Sequence, residues 1–160
     1  MSPRAFIVFA LLFAAGLPGG GAAWAADMPR FYSLKSDDVN MREGPSNNHR
    51  VKWIYRRKGL PVEALAQYEV WRRVRDMDGE IGWVHIALLS PVRHALIVGR
   101  GNAEVRRRDD SSSAPIAFAQ PGSIGQIQHC SPLACEVDFN GVDGWVDKAR
   151  LWGVDDNEHF

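Results

Sequence analysis

The chain has 160 residues, with 19 Lys and Arg, 19 Asp and Glu, six Trp, 15 Gly, nine Pro and two Cys. That length accommodates one ordinary domain or two very small ones and excludes a multidomain enzyme. An apolar fraction of 46% and a charged fraction of 24% exclude wholesale disorder, and a formal charge of zero argues against nucleic-acid binding through a strong positive field.

The N-terminus reads as an export signal occupying residues 1–25. Arg4 supplies a positive start, Ala5 to Ala15 form an apolar run, and Gly16, Pro18 and Gly19 to Gly21 break any helix. Ala23-Trp24-Ala25 places small residues where a signal peptidase reads them, so cleavage is expected between Ala25 and Ala26. The alternative is an uncleaved anchor, but a spanning helix needs about 20 predominantly apolar residues and the Pro and Gly cluster arrives too early. After cleavage the chain would keep no stable membrane span and would be periplasmic or secreted. Its charge is then uneven: residues 27–94 carry twelve bases and nine acids, residues 95–160 six bases and ten acids.

The remaining chain is written twice. Val39-Asn40-Met41-Arg42 recurs 64 residues later as Ala103-Glu104-Val105-Arg106, Gly59 as Gly122, and Val74 as Val137. Gly82-Trp83-Val84 is answered by Gly144-Trp145-Val146, Ala87 by Ala149 and Leu89 by Leu151. In the first copy the pattern predicts strands over Asp38 to Arg42, Val51 to Arg56, Leu60 to Gln67, Val70 to Met77 and Ile81 to His85. Asp78-Gly79 and Asn140-Gly141 predict tight hairpins. The mature sequence holds no convincing 3.6-residue apolar period. The expected fold class is all-β: two tandem, small, partly open barrels over residues 31–91 and 92–154, followed by an acidic tail over 155–160. A unit of about 60 residues is marginal alone. The apolar run Ala95-Leu96-Ile97-Val98 between the copies therefore predicts barrels packed on each other, the alternative being beads on a string.

Cys130 and Cys135 enclose Ser131-Pro132-Leu133-Ala134 between two predicted strands. In an exported protein this spacing reads as a disulfide across a hairpin. A Cys–His nucleophile fails locally, because His129 and Cys130 are adjacent strand residues that point to opposite faces.

These motifs carry a family resemblance. Asn40 to Ser46 (N-x-R-x-G-P-S), Lys58 to Val62, Trp71 to Val74 and Asp78 to Val84 resemble the bacterial SH3 domain, SH3b. The second copy keeps Arg106, Gly122, Val137 and the Gly-Trp-Val hairpin but lacks the Gly-Pro-Ser and the strand Trp. The tandem order and the closing Leu151-Trp152-Gly153-Val154 resemble a secreted bacterial family of duplicated SH3-like domains without an assigned activity. The resemblance implies SH3-like barrels and, by likeness to cell-wall-targeting modules, a peptide ligand of the envelope.

Two ligand surfaces suggest themselves in the first copy. If Val70 and Val74 point inward, strand alternation sets Trp71, Arg73 and Arg75 outward, an indole between cations. The competing reading buries Trp71 under a neighbouring loop and leaves solvated arginines. At an offset of 63 these become Ala134, Glu136 and Asp138, so that face loses its aromatic and reverses sign. Either the first copy alone binds an anionic or amphipathic ligand, or the two faces attract one another within or between molecules. The second surface combines Trp53, Tyr55 and Tyr68 with the loop after Pro45, with the exposed face of Val51 to Arg56 left open. The runs Arg56-Arg57-Lys58 and Arg106-Arg107-Arg108 read as solvated loops.

Catalytic and metal patterns are missing: the five His have no H-x-x-x-H or H-E-x-x-H spacing, and there is no G-x-S-x-G or phosphate loop. The sequence thus predicts no enzyme and no cofactor. It predicts an exported binding module for a cell-wall peptide or a periplasmic protein or peptide, with no nucleic-acid partner and with self-association open. The alternative is a protein–protein adaptor or a subunit of an envelope complex.

Overall fold

Turn chemistry sets the register of both copies in the computed structural model, which describes residues 31–155 and 157–158. The proposed signal peptide lies outside the described residues. Asn140 and Gly141 both adopt positive φ, 58° and 93°, the pair of left-handed conformations that a two-residue hairpin needs to match strand twist. In the first copy the same hairpin is one residue longer. Gly79 takes φ 87° there, and the Asp76 carboxylate accepts the backbone N–H groups of Asp78 and Glu80.

Fourteen strands follow. The first copy contributes β1 (Phe31–Leu34), β2 (Val39–Arg42), β3 (Val51–Tyr55), β4 (Pro61–Tyr68), β5 (Trp71–Arg75), β6 (Ile81–His85) and β7 (Leu89–Ser90). The second contributes β8 (His94–Ile97), β9 (Ala103–Arg106), β10 (Pro115–Ala119), β11 (Ile124–Cys130), β12 (Ala134–Asp138), β13 (Asp143–Asp147) and β14 (Leu151–Trp152). A single 3-10 turn precedes the last strand of each copy, Ile86–Leu88 and Lys148–Arg150. Each copy forms one antiparallel sheet, in the orders β3-β2-β6-β5-β4-β1-β7 and β10-β9-β13-β12-β11-β8-β14. The orders are the same under the duplication, and neither sheet closes its seam into a hydrogen-bonded ring. Bulges recur in step, between Ala64 and Ala66 and between Ile127 and His129. The expected all-β class in two tandem copies is met.

Alternation then locates the cores. Tyr32, Leu34, Val39, Met41, Val62, Val74 and Val84 fill the first sheet's concave side. Ala95, Ile97, Val105, Val137 and Val146 fill the second. Strands β1 and β8 are missed or misread in the sequence because both of their faces are covered. Tyr32 and Leu34 face their own core, while Phe31 and Ser33 are also buried; in β8, Ala95 and Ile97 face their own core and Leu96 is also buried.

The second faces of these strands form the junction between the copies. Phe31 packs edge-on against Trp152 at 5.4 Å, and the Trp152 indole N–H donates to the Pro61 carbonyl at 3.1 Å. Ser33 Oγ lies 3.0 Å from His94 Nδ1. Arg93 sits over the Phe31 ring, donates to the Gly153 carbonyl and pairs with Glu158. Gly153, at φ 108°, permits the close approach: a Cβ there would meet the His94 carbonyl oxygen at 2.6 Å and Pro61 Cβ at 2.8 Å. The run at 95–98 is therefore a sheet strand that also builds the junction. Glu158, read from the sequence as part of an acidic tail, is tied back onto Arg93.

Candidate functional site

The first ligand surface inferred from the sequence does not have the expected exposure. Trp71 was placed outward by alternation from Val70 and Val74, yet its side chain is 6% exposed and packs edge-on against His85 at 5.3 Å. Two features explain the error. Val70 belongs to the tight β4–β5 turn, where Glu69 takes φ 48°, and is itself exposed. The side of β5 opposite Val74 is covered at Trp71 by its cross-strand neighbour His85 on β6. Arg75 is also engaged, donating through Nε and Nη2 to the buried Glu63 carboxylate. Of the three, Arg73 is the exposed one.

In the second copy the same corner is rebuilt. Ala134 replaces Trp71 and is fully buried, Asp147 replaces His85, and Asp147 accepts a two-pronged ion pair from buried Arg106. The Arg106 guanidinium is held charged above its ordinary range, first by that hydrogen bond. One residue along, the cross-strand pair Gln67–Arg72 is replaced by the disulfide Cys130–Cys135, whose Cα atoms are 4.1 Å apart. His129 is exposed and Cys130 buried, so the two diverge as alternation requires.

The second surface divides. Strand β3 is an edge strand, paired only with β2, which leaves Trp53 (52% exposed) and Ile54 wet on opposite faces. Tyr68 is likewise open, at 54%. Tyr55 turns inward and is 5% exposed; its hydroxyl donates to Asp76 Oδ2 at 2.8 Å. Burial, then the Asp76 carboxylate, push the Tyr55 phenol far above its usual range. Tyr55 and Asp76 together plug the seam beside the edge strand β3, where it faces the β5–β6 turn.

The second copy lacks this plug. Register pairs make Ala117 the counterpart of Trp53, Ala119 that of Tyr55 and Phe139 that of Asp76. There the seam beside the edge strand β10 holds a cleft of about 840 Å³, lined by residues of β10, β11 and the β12–β13 turn. That volume lies within the range of small-molecule and peptide-side-chain pockets. Its apolar lining is Val105, Ala117, Phe118, Ala119, Ile124, Phe139 and Val142, set within a wall that is mostly polar through His94, Gln120, Ser123, Gln126 and Asn140.

The lip comes from the first copy. Arg56, Arg57 and Lys58 are exposed, as expected of a solvated loop, and they also line the cleft. Arg56 is paired with Asp38 at 2.9 Å. Arg57 reaches across the junction and donates to the Gly122 carbonyl at 2.6 Å. Neither Arg57 nor Lys58 has a carboxylate partner among the described residues. Two carboxylates also line the cleft, and both serve turns: Asp37 accepts the Lys58 backbone N–H at 2.8 Å, and Asp138 accepts the Gly141 N–H. The site is therefore composite: one copy supplies an apolar patch within a mostly polar wall, and the other supplies a lip of Arg56, Arg57 and Lys58 beside Asp37. Sequence reasoning missed it, although the exchange of Tyr55 for Ala119 and Asp76 for Phe139 was a readable sign that one seam is filled and the other empty.

Among the described residues no cluster of His, Cys, Asp and Glu is arranged to hold a metal, and no helix is long and apolar enough to cross a membrane. Comparison with known proteins gives one family. The model of the bacterial SH3 domain matches twice, over residues 35–91 and 100–153. No curated protein matches. Among solved structures, NlpC2 from Trichomonas vaginalis is similar at 15% identity and a TM-score of 0.35, over 80% of this chain and 49% of that one. NlpC1 from the same organism is similar at 14% identity and a TM-score of 0.34, over 81% and 48%. The chain thus spans about half the length of the solved structures it matches.

Proposed function

The chain belongs to the bacterial SH3 domain family in two tandem copies, and from that premise we propose that it is an exported binding module, without catalytic activity, that recognises a peptide ligand of the cell envelope in the seam of its second copy. Domains of this family typically bind cell-wall material. The disulfide supports a location outside the cytosol, periplasmic or secreted. The observation that carries the reading is the open seam itself: it is concave, it holds an apolar patch of Ala117, Ala119, Phe139 and Val142 within a mostly polar wall, and Arg57 and Lys58 stand at its rim.

The duplication has a physical rationale in this reading. One copy closes its own seam with Tyr55 and Asp76 and supplies the lip; the other lacks both and becomes the receptor. Co-sedimentation with purified cell-wall sacculi tests the proposal. The wild type is expected in the pellet, and Ala119→Tyr, which fills the seam with the side chain the first copy carries, in the supernatant. A wild type that stays soluble with sacculi would refute envelope-peptide recognition and favour an adaptor. The exposed Trp53–Ile54 edge strand is then the surface a protein partner would meet.

A further inference from the structure

The first copy shows what the empty seam of the second is shaped to receive. At the position of Ala119 the first copy holds the buried ring of Tyr55, seated between strands that have the same order and the same bulges. The ring's polar end is satisfied there by Asp76. The second copy keeps the strands, deletes the ring and replaces the acceptor with Phe139, which packs against the core. The Phe139 ring takes part of that space, lying over Gly125, and the cleft left beside Ala117 and Ala119 lacks the carboxylate that holds the Tyr55 hydroxyl. Arg57 and Lys58 stand at the lip with no carboxylate partner among the described residues.

From this juxtaposition we infer that the cleft receives the C-terminal phenylalanine of a peptide. Its phenyl ring takes the place that Tyr55 fills in the first copy, and its terminal carboxylate meets the Arg57 and Lys58 cations. The inference rests on the cleft being the ligand site proposed above, and it names that ligand's chemistry. Its two parts use different physics. Burying the ring supplies affinity in proportion to apolar area removed from water, whereas the carboxylate supplies a charge-assisted contact sensitive to salt.

The test is a titration of the full-length oxidised protein with four tripeptides, N-acetyl-Gly-Gly-Phe, its C-terminal amide, N-acetyl-Gly-Gly-Tyr and N-acetyl-Gly-Gly-Ala, followed by calorimetry. The Phe acid is expected to bind at least about tenfold more tightly than the Ala acid, the factor that burying one large apolar side chain supplies. The Tyr acid should be weaker than the Phe acid, because Phe139 stands where the first copy holds the accepting carboxylate and the neighbouring Asp138 is engaged by the Gly141 N–H. Amidation should weaken binding in the wild type and weaken it less in Lys58→Ala, where Arg57 alone remains to meet the carboxylate. Ala119→Tyr/Phe139→Asp rebuilds the first copy's plug, so it should fold and bind none of the four. Its thermal unfolding serves as the folding control, and Ala119→Tyr alone is the second variant should the pair misfold.

Equal affinity for the Phe and Ala acids, or for the Phe and Tyr acids, would overturn the inference, as would undiminished binding by a folded plugged variant. An amide that binds as well as the acid would overturn its carboxylate half. Sacculus binding separates the two proposals. If sacculi sediment with the wild type and the plugged variant alike, envelope binding survives and the cleft inference fails. If the Phe acid binds but sacculi do not, the cleft chemistry stands and the envelope ligand falls.

Discussion

Replacing Tyr55 with Phe removes one hydroxyl and keeps the ring, so it isolates the bond that closes the first copy's seam. That hydroxyl donates at 2.8 Å to Oδ2 of Asp76, a residue 5% exposed whose other oxygen is occupied by the N–H groups of Asp78 and Glu80. Hydrogen bonds to charged groups contribute about 1.5–3 kcal/mol, and a buried acceptor left without its donor loses that amount. Tyr55→Phe should therefore destabilise the protein by about 2 kcal/mol. With a urea slope of about 1–3 kcal/mol per molar, the midpoint falls by about 1 M. A second signature follows from the phenol's raised pKa. Below about pH 10 the phenol is protonated in both states and its contribution is fully present. Above pH 10 the unfolded chain ionises first, so stability drops by about 1.4 kcal/mol per pH unit in the wild type. The variant lacks this component of the slope. Urea unfolding at pH 7 and at pH 10–11 reads both effects, and a double-mutant cycle with Asp76→Asn reports their coupling. A loss below about 0.5 kcal/mol, with identical alkaline slopes, would refute the plug as a stabilising element.

Three further outcomes are expected. Reducing Cys130–Cys135 opens a loop of about six residues and should lower stability by about 2 kcal/mol without unfolding the sheet, because the first copy pairs Gln67 with Arg72 at that position without a bridge; collapse of the circular dichroism spectrum on reduction would contradict this. Trp71→Ala should cost about 3–5 kcal/mol of stability, as expected for a buried indole, yet leave sacculus binding per folded molecule unchanged; lost binding in a folded variant would restore the ridge read from the sequence. Arg93→Ala removes the contacts to Phe31, Gly153 and Glu158, so thermolysin should cut between Pro91 and Asn102 several-fold faster than in the wild type; equal cutting would show that the junction does not depend on that side chain.

The duplicated β architecture was legible because its signals are local. Asp78-Gly79 and Asn140-Gly141 dictate turns wherever they occur, and the Gly-Trp-Val segments mark the same strand twice. The cysteines could be paired because a six-residue hairpin leaves little choice. Exposure was harder to read. Alternation separates the two faces of β5 correctly, but it does not say that His85 roofs one of them at Trp71. Strand β8 reads as a continuous apolar run because a strand buried on both faces loses its alternation. The composite cleft depends on the approach of the residues 56–58 loop to a seam more than 50 residues away in sequence, and no window of sequence contains both. Its trace was the pairwise comparison of the copies, in which an aromatic residue and its acid partner disappear together.

In the proposed function one seam is plugged by Tyr55 and Asp76 while its duplicate stays open to the ligand. Methyl-resolved NMR of the 13C-alanine-labelled protein, titrated with soluble muropeptides released from sacculi, tests it most directly. The account predicts saturable shifts at the Ala117 and Ala119 methyl groups, with Ala64 and Ala66 of the first copy unmoved. Shifts confined to the first copy, with Ala117 and Ala119 silent at saturation, would contradict it.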